Sequence, residues 1–330
     1  MRVTGLGFGT APLGNLYAEV AADEARMALA RALQLGICYF DTAPFYGHGL
    51  AETRLGQVLK GLPRTTFAVS TKVGRRIESD PAQRAPVTDD FAVQGSRAVF
   101  DYSRGGTQRS FEASLQRLGL DHVDILLLHD VGRLTHGDRH PQMLQQALDE
   151  ALPAMAALRD AGAVGAIGIG VNEIEVCMEL LPRFDLDCIM LAGRYSLFEQ
   201  APALALLDEA RRRGVRIIAA GPYNSGLLGN PHEPGKTYDY APASADTLTR
   251  AREIYAICGE DGVDVGAAAL QLPLAHPAVC AVVAGMRNAV EVETAMARSS
   301  QRIPGRVWEH LRASGIIAAS VPVPSTGRRP

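Results

Sequence analysis

Four side chains able to carry proton chemistry follow three apolar runs in the first 130 positions. Asp41 and, on the adjoining loop, Tyr46 follow the run Ile37 to Phe40; Lys72 closes TFAVSTK (66–72); His129 sits at the end of VDILLLHD (123–130). A carboxylate at the end of a buried strand is costly unless it is paired or used. A tyrosine five residues later can give or take a proton. Taken alone, a D-x-x-x-x-Y spacing fits a turn-capping aspartate and a surface tyrosine better. A lysine just past a strand is usually solvated, and a histidine after a leucine run is more often a satisfied core residue. Recurrence at successive strand ends shifts the balance toward a shared site.

Such groups need elements to position them. The first strand is expected at 5–10, GLGFGT. Its glycines do not form a dinucleotide fingerprint, because G-x-G-x-x-G needs glycine where Thr10 or Pro12 stands. Close backbone approach near a ligand is the better reading of them. Helical periodicity runs over 23–35, with Asp23 as its cap. Further helices are expected near 50–60, 107–118, 143–161, 203–213, 244–258, 264–275, 289–297 and 304–314, and Asn172 with Glu173 opens another. Further strands are expected at 164–169, 188–192, 215–219 and 279–284. Long loops at 74–106, 130–142 and 221–242 read as functional, since structureless loops of that length are uncommon in compact domains. His136 and His140, in the second of them, lack partners at metal spacing, so they read as solvated or lid residues and no metal site is expected.

Eight strands alternating with helices give either a doubly wound sheet or a closed barrel. Chemistry after several different strands, without a dinucleotide fingerprint, favours an α/β fold of the (β/α)8 TIM-barrel type. Its active site would lie at the C-terminal face under long capping loops. No linker divides the chain, so residues 1–318 read as one domain and 319–330 as a loose tail.

Composition narrows the function classes. The 330 residues are 47% hydrophobic and 21% charged, with a net charge of -3. Nothing there favours a nucleic-acid or anionic-membrane partner. Five cysteines form no C-x-x-C pair and read as reduced thiols of a cytoplasmic protein. The N-terminus lacks the apolar stretch of a signal peptide, and no window approaches a membrane span.

FDTAPFYG (40–47), STK (70–72) and LLLHD (126–130), in this order, resemble the aldo-keto reductase family. The stretches APLGNLY, STKVGR, RSFEASLQRLGLDHVDILLLHD, LAGRYSL and GPYNSG are most similar to its branch of aldose (L-fucose or D-threo-aldose) 1-dehydrogenases and pyridoxal 4-dehydrogenases. The resemblance implies a catalytic tetrad of Asp41, Tyr46, Lys72 and His129 and a nicotinamide cofactor. A free phenol is only about 0.1% ionised at neutral pH, so a tyrosine base needs a nearby cation. Lys72 would supply it, Asp41 would hold Lys72, and His129 would orient a hydroxyl or relay a proton.

The resemblance also implies that Asn172 holds the carboxamide. Pro222, Tyr223, Asn224, Ser225 and Gly226 would clasp the pyrophosphate, and Gly285, Met286, Arg287 and Glu291 would meet the adenosine ribose. Many NADP-using members carry a lysine and an arginine where Gly285 and Glu291 stand, so NAD is expected over NADP, with Arg287 a possible phosphate contact. Ala220 and Ala192 depart from the family's tyrosine and glutamine. Tyr17, Phe45, His48 and Arg194 are candidate substrate-lining residues. The expected partner is a small sugar, aldehyde or hemiacetal, handled by a monomer or homodimer. The implied reaction oxidises an anomeric carbon to a lactone. Pyridoxal oxidation, NADPH-dependent carbonyl reduction and a slow cofactor-sensing subunit are the alternatives.

Overall fold

Side chains that alternate between two buried faces need a sheet covered on both sides, and a closed barrel provides it. The computed structural model describes residues 3–82, 91 and 93–325. Its barrel strands are β1 (Leu6–Gly9), β2 (Tyr39–Asp41), β3 (Ala68–Val73), β4 (Val123–His129), β5 (Val164–Val171), β6 (Cys188–Ala192), β7 (Arg216–Ala220) and β8 (Val279–Gly285). All pair in parallel with their neighbours, and β8 returns to β1 through Leu6↔Val282 and Gly9↔Gly285.

Register places the chemistry. Asp41 lies opposite Ser70, and Lys72 opposite Leu127. Successive strand residues point to opposite faces, so Ser70 shares a face with Lys72, and Leu127 with His129. That face is the barrel interior. Tyr39, Ala68, Ile125, Leu127, Ala166, Met190, Ile218 and Val283 fill it with an apolar plug. The polar residues form the next layer above this plug, at the C-terminal ends of the strands.

The glycines of β1 serve packing rather than a ligand. A side chain at Gly7 would meet the Tyr39 ring at 2.6 Å, and one at Gly9 would meet the Ala284 carbonyl at 3.2 Å. The first helix is Ala22–Gln34, and Asp23 is not its cap. Ala21 holds that position, and Asp23 pairs with Arg26 one turn on.

The stretch read as a bare loop at 74–106 contains an antiparallel hairpin, Arg75–Ser79 with Ser96–Phe100. The helix after it begins at Arg104, earlier than its two glycines suggested. Ser103 caps it by accepting from the Gly106 N–H at 2.9 Å, and the carboxylate of Asp101 fills the space where a Gly106 side chain would stand. The loop after β4 also carries structure: short helical turns run from Arg133 into the helix His140–Gln146. His140 is not solvated. It is 2% exposed, and its ring approaches the Val131 carbonyl and Glu179.

The loop after β7 folds into a small hairpin, Thr237–Tyr238 with Ala241–Pro242. The end of the chain is tied down further than expected. Val321 is fully buried with Ile316 and Ile317 under the helices Ala245–Glu260 and Gly305–Ala313, and its carbonyl accepts from Arg312. Residues 326–330 lie outside the described residues. Among the described residues, no helix is long and apolar enough to cross a membrane, and no group of three His, Cys, Asp or Glu side chains could hold a metal ion.

Candidate active site

Lys72 is 2% exposed and Asp41 3% exposed. The ammonium donates to both carboxylate oxygens, at 3.0 and 2.8 Å, and to the Thr42 carbonyl at 2.9 Å. The Tyr46 side chain is also within hydrogen-bonding reach of this ammonium. Ser70 donates to Asp41 Oδ1 at 2.7 Å and stands 3.0 Å from the Tyr39 hydroxyl. A buried ion pair survives desolvation only with such additional hydrogen bonds. Burial alone would discharge Lys72, but the Asp41 carboxylate overrides it and holds the ammonium charged.

Tyr46 lies on this pair, with the Lys72 ammonium 4.7 Å from its ring centre. Its ring meets His129 edge-on at 6.0 Å and stacks on Phe91 at 6.0 Å. Burial raises the phenol above its ordinary range, Lys72 pulls it back down, and Asp41 and Asp130 push it up. The net direction is upward, so without ligand the phenol is a neutral acid at neutral pH. The sequence argument anticipated the pull of Lys72 but not that burial outweighs it.

His129 is 6% exposed, and its Nδ1 has no partner among the described residues. Burial lowers its pKa, with Asp130 acting in the opposite sense. The ring is therefore a neutral imidazole facing the phenol.

The other expected residues distribute unevenly. Phe45 and His48 sit beside the tetrad: Phe45 packs edge-on to His129, and His48 Nδ1 lies 2.8 Å from Ser96 Oγ. Tyr17 is 53% exposed near this rim, where neighbouring Leu16 bridges Phe91. Arg194 is committed elsewhere. It donates to the Asn172 carbonyl at 2.7 Å, to Glu199 at 3.2 Å and to Asp239 at 3.1 and 2.8 Å. With its guanidinium taken up in this way, it latches the β7 hairpin instead of lining a substrate pocket.

The adjoining rim carries donors suited to a cofactor. Asn172 follows β5, residues 222–226 follow β7, and Gly285 to Arg287 end β8. Asn224 and Ser225 take left-handed backbone angles, φ 46° and 58°. Such turns point successive N–H groups into one concavity, which suits phosphate oxygens. The Ser225 and Gly226 N–H groups donate to no described residue. Ser225 Oγ accepts from the Tyr240 N–H at 3.0 Å, which leaves its own proton free to donate. Pro222 and Met286 are buried supports, and Tyr223 lies under the Arg298 guanidinium. The residues present fit a dinucleotide.

Glu291 has a structural occupation that the sequence reading did not anticipate. It accepts from the Arg287 N–H at 2.8 Å and from the Arg287 side chain at 3.0 Å, while its own N–H is capped by Asn288 at 2.9 Å. This reciprocal cap neutralises Arg287.

The sequence reading passed over two site residues. Asp130 and Arg75 form a close ion pair, and Asp130 Oδ2 is 3.4 Å from His129 Nε2. Both stood inside the quoted motifs, Asp130 directly after His129 and Arg75 three places after Lys72. A cavity of about 390 Å³ bounded by Arg159, Arg183 and Arg213 lies away from all of this, beside loops that lead into the strands.

Comparison with known proteins agrees with the geometry. The sequence model described as "Aldo/keto reductase family" matches residues 5–315. Pyridoxal 4-dehydrogenase of Microbacterium luteolum is 40% identical over 329 residues, covering 96% of each chain. D-threo-aldose 1-dehydrogenase of a Pseudomonas species is 38% identical, covering 96% of this chain and 95% of that one. The holo form of aldo-keto reductase AKR11C1 from Bacillus halodurans superposes with a TM-score of 0.73 at 25% identity, over 97% and 94% of the two chains.

Proposed function

The chain belongs to the aldo/keto reductase family and is an oxidoreductase, and from that premise we propose that it oxidises the anomeric carbon of an aldose of the L-fucose or D-threo type to the lactone. Tyr46, once it has lost its own proton to solvent beside the Lys72 ammonium, takes the hydroxyl proton as a phenolate, and NAD is the hydride acceptor. The observation that carries this reading is the buried Asp41–Lys72 pair with Tyr46 laid against its ammonium. Held by Asn172, the loop after β7 and the end of β8, a nicotinamide would supply the hydride-accepting carbon that no side chain offers.

This chain's own residues do the rest. Lys72 keeps a fixed positive charge beside the phenol, so a phenolate formed there is stabilised without reorganisation. Asp41 prevents Lys72 from losing that charge. His129, neutral, accepts or donates a hydrogen bond to the sugar hydroxyl. Phe45, Tyr46 and Phe91 exclude water around the reacting carbon. His48 with Ser96, and Asp130 with Arg75, offer polar partners to a substrate bearing a hydroxyl on each carbon.

NAD is favoured because Glu291 already neutralises Arg287. A 2′-phosphate would have to break that pair and would face the carboxylate, whereas a ribose hydroxyl can donate to it. Residues 1–318 are taken as one cytoplasmic barrel unit, monomeric or homodimeric.

Pyridoxal oxidation is the second reading. The relative at 40% identity carries that name, and the aromatic wall of Phe45, Tyr46 and Phe91 would stack on a pyridine ring as readily as on a sugar face. Both substrates present a cyclic hemiacetal, so the proton chemistry is shared.

The test is the rate of NAD and NADP reduction with L-fucose, L-galactose, D-arabinose, D-glucose and pyridoxal, at neutral and alkaline pH. Turnover with NAD and one stereochemical class of sugar is expected. Turnover with pyridoxal alone would promote the second reading, and silence throughout would remove both.

A further inference from the structure

The Tyr46–His129 pair stands between two ion pairs, and only one of them, the buried Asp41–Lys72, has been given a part in the proton transfer proposed above. The second is Asp130 with Arg75, both 14% exposed at the side chain. Its surroundings are built with care. The Arg75 guanidinium is clamped between the Phe45 ring, at 3.8 Å, and the Phe100 ring, at 4.5 Å. The Tyr102 hydroxyl fixes the turn from below, 2.8 Å from the His129 carbonyl, 3.0 Å from the Asp130 carbonyl and 2.9 Å from His136 Nε2. Asp130 itself is held at φ 49°, a left-handed angle that costs a non-glycine residue free energy and persists only where the surroundings enforce it. The result is a carboxylate oxygen 3.4 Å from His129 Nε2. That exceeds a full hydrogen bond, yet catalytic contacts are often long without substrate and tighten when it binds.

We propose that Asp130, held by Arg75, is a positioning residue of the proton-transfer unit: it orients His129 through Nε2 and sets its carboxylate against the Tyr46–His129 pair. This rests on the reading of Tyr46 as the proton acceptor. The charged and titratable groups facing Asp130 are His129 on its own strand, Lys72 and Arg75 from β3 and the turn after it, Tyr46 from the β2 loop, Tyr102 before the third helix, His136, and Tyr240 at the tip of the β7 hairpin. Among these the signs are consistent. The carboxylate favours a protonated His129 and disfavours a Tyr46 phenolate. It therefore offsets Lys72. Where Lys72 lets the phenol release its proton, Asp130 helps the pair retain one taken from a hydroxyl. Proton and charge balance follow: the phenol first releases its proton to solvent, the resulting phenolate takes the proton of the substrate hydroxyl, the hydride goes to the nicotinamide, and neither ion pair changes charge.

The test uses Asp130→Asn, Arg75→Gln and the double variant, each made with and without Tyr46→Phe. The difference in tyrosinate ultraviolet absorbance between the two forms isolates the titration of Tyr46 and needs no substrate. Asp130→Asn should move that midpoint down by about one pH unit, the size of a single nearby charge. Arg75→Gln should move it up, because the carboxylate is then uncompensated. The double variant keeps the site neutral, so it folds even if a single variant does not. It should move down by about half as much, since loss of the Arg75 cation offsets part of the loss of the Asp130 carboxylate, the stronger of the two on the phenol. The alkaline limb of kcat/KM with the best substrate should follow the same order.

A Tyr46 midpoint that stays at the parent value in all the variants that fold overturns the proposal, and so does a shift of both single variants in one direction. A titration that shifts while the pH–rate profile does not would uphold the electrostatic role of Asp130. That outcome would remove Tyr46 as the base.

Discussion

Lys72 can be charged inside the barrel because Asp41, Ser70 and Thr42 surround it, and Tyr46 is reactive only in so far as Lys72 remains charged. Replacing Lys72 with Met leaves the Asp41 carboxylate buried without its cation. Breaking one side of a buried pair costs about 3–5 kcal/mol, so Lys72→Met should lower the urea midpoint strongly as well as abolish turnover. An unchanged midpoint would mean that the pair contributes nothing to the fold. His129 gives a pH signature of its own. Its folded pKa lies at about 3, against about 6.5 for a free histidine. Between these values the unfolded chain binds a proton that the folded one does not. Its contribution to stability is therefore complete above pH 6.5 and falls as pH drops, by about 1.4 kcal/mol per unit. His129→Gln should flatten the acid side of the stability curve, and a curve as steep as the parent's would contradict a buried neutral imidazole. That Asp41, Tyr46, Lys72 and His129 come together was legible in the sequence, because three of them end buried strands and Tyr46 follows in the same motif as Asp41. Asp130 and Arg75 were not, since each lies just beyond its strand, where a charged side chain ordinarily meets solvent, and only the fold brings the two together.

Elements position these residues through contacts that sequence patterns only half disclose. Strand periodicity was readable because the buried runs are short and bounded by turns. The hairpin after β3 was not, because its strands are half-exposed and mixed in charge, with Glu78 paired to Arg76 along its own strand and to Arg97 across. The third helix started early for a similar reason: the Ser103 cap and the Asp101 contact make two glycines acceptable in a first turn, against their propensity. Close helix contact is the hidden term elsewhere too. Gly56 in the helix Leu50–Leu59 faces the end of the helix Arg104–Leu118, where an added Cβ would stand 2.5 Å from the Leu118 carbonyl oxygen. An exposed helical glycine is stabilised by about 1 kcal/mol on replacement by alanine. Gly56→Ala should instead destabilise, by about 1–3 kcal/mol of overpacking. Denaturant unfolding reads the sign directly, and a gain in stability would show that the two helices part easily.

At the scale of the whole molecule, the barrel brings chemistry from β2, β3 and β4 onto the same rim as cofactor donors from β5, β7 and β8. Eight βα units were legible as a count, whereas which loops fold back over the rim was not. The ion pair of Arg194 with Asp239 is a long-range contact with no local signature, whereas that of Arg287 with Glu291 sits at the capping spacing Asn288-x-x-Glu291 and was open to a local reading. The second of these bears on cofactor choice. Glu291→Gln frees Arg287 and removes the carboxylate, so the kcat/KM ratio for NADP over NAD should rise about tenfold, the effect of one charge-assisted contact. A ratio that does not move would place the 2′ position elsewhere. The most direct measurement is the initial rate of NAD reduction by parent and Tyr46→Phe enzymes with the best hemiacetal substrate, alongside cofactor titration by fluorescence. With Tyr46 as the proton acceptor held by Lys72 and Asp41, the variant should lose at least about 100-fold in kcat while binding NAD as the parent does. A variant that keeps the parental rate would contradict the assignment of proton transfer to Tyr46.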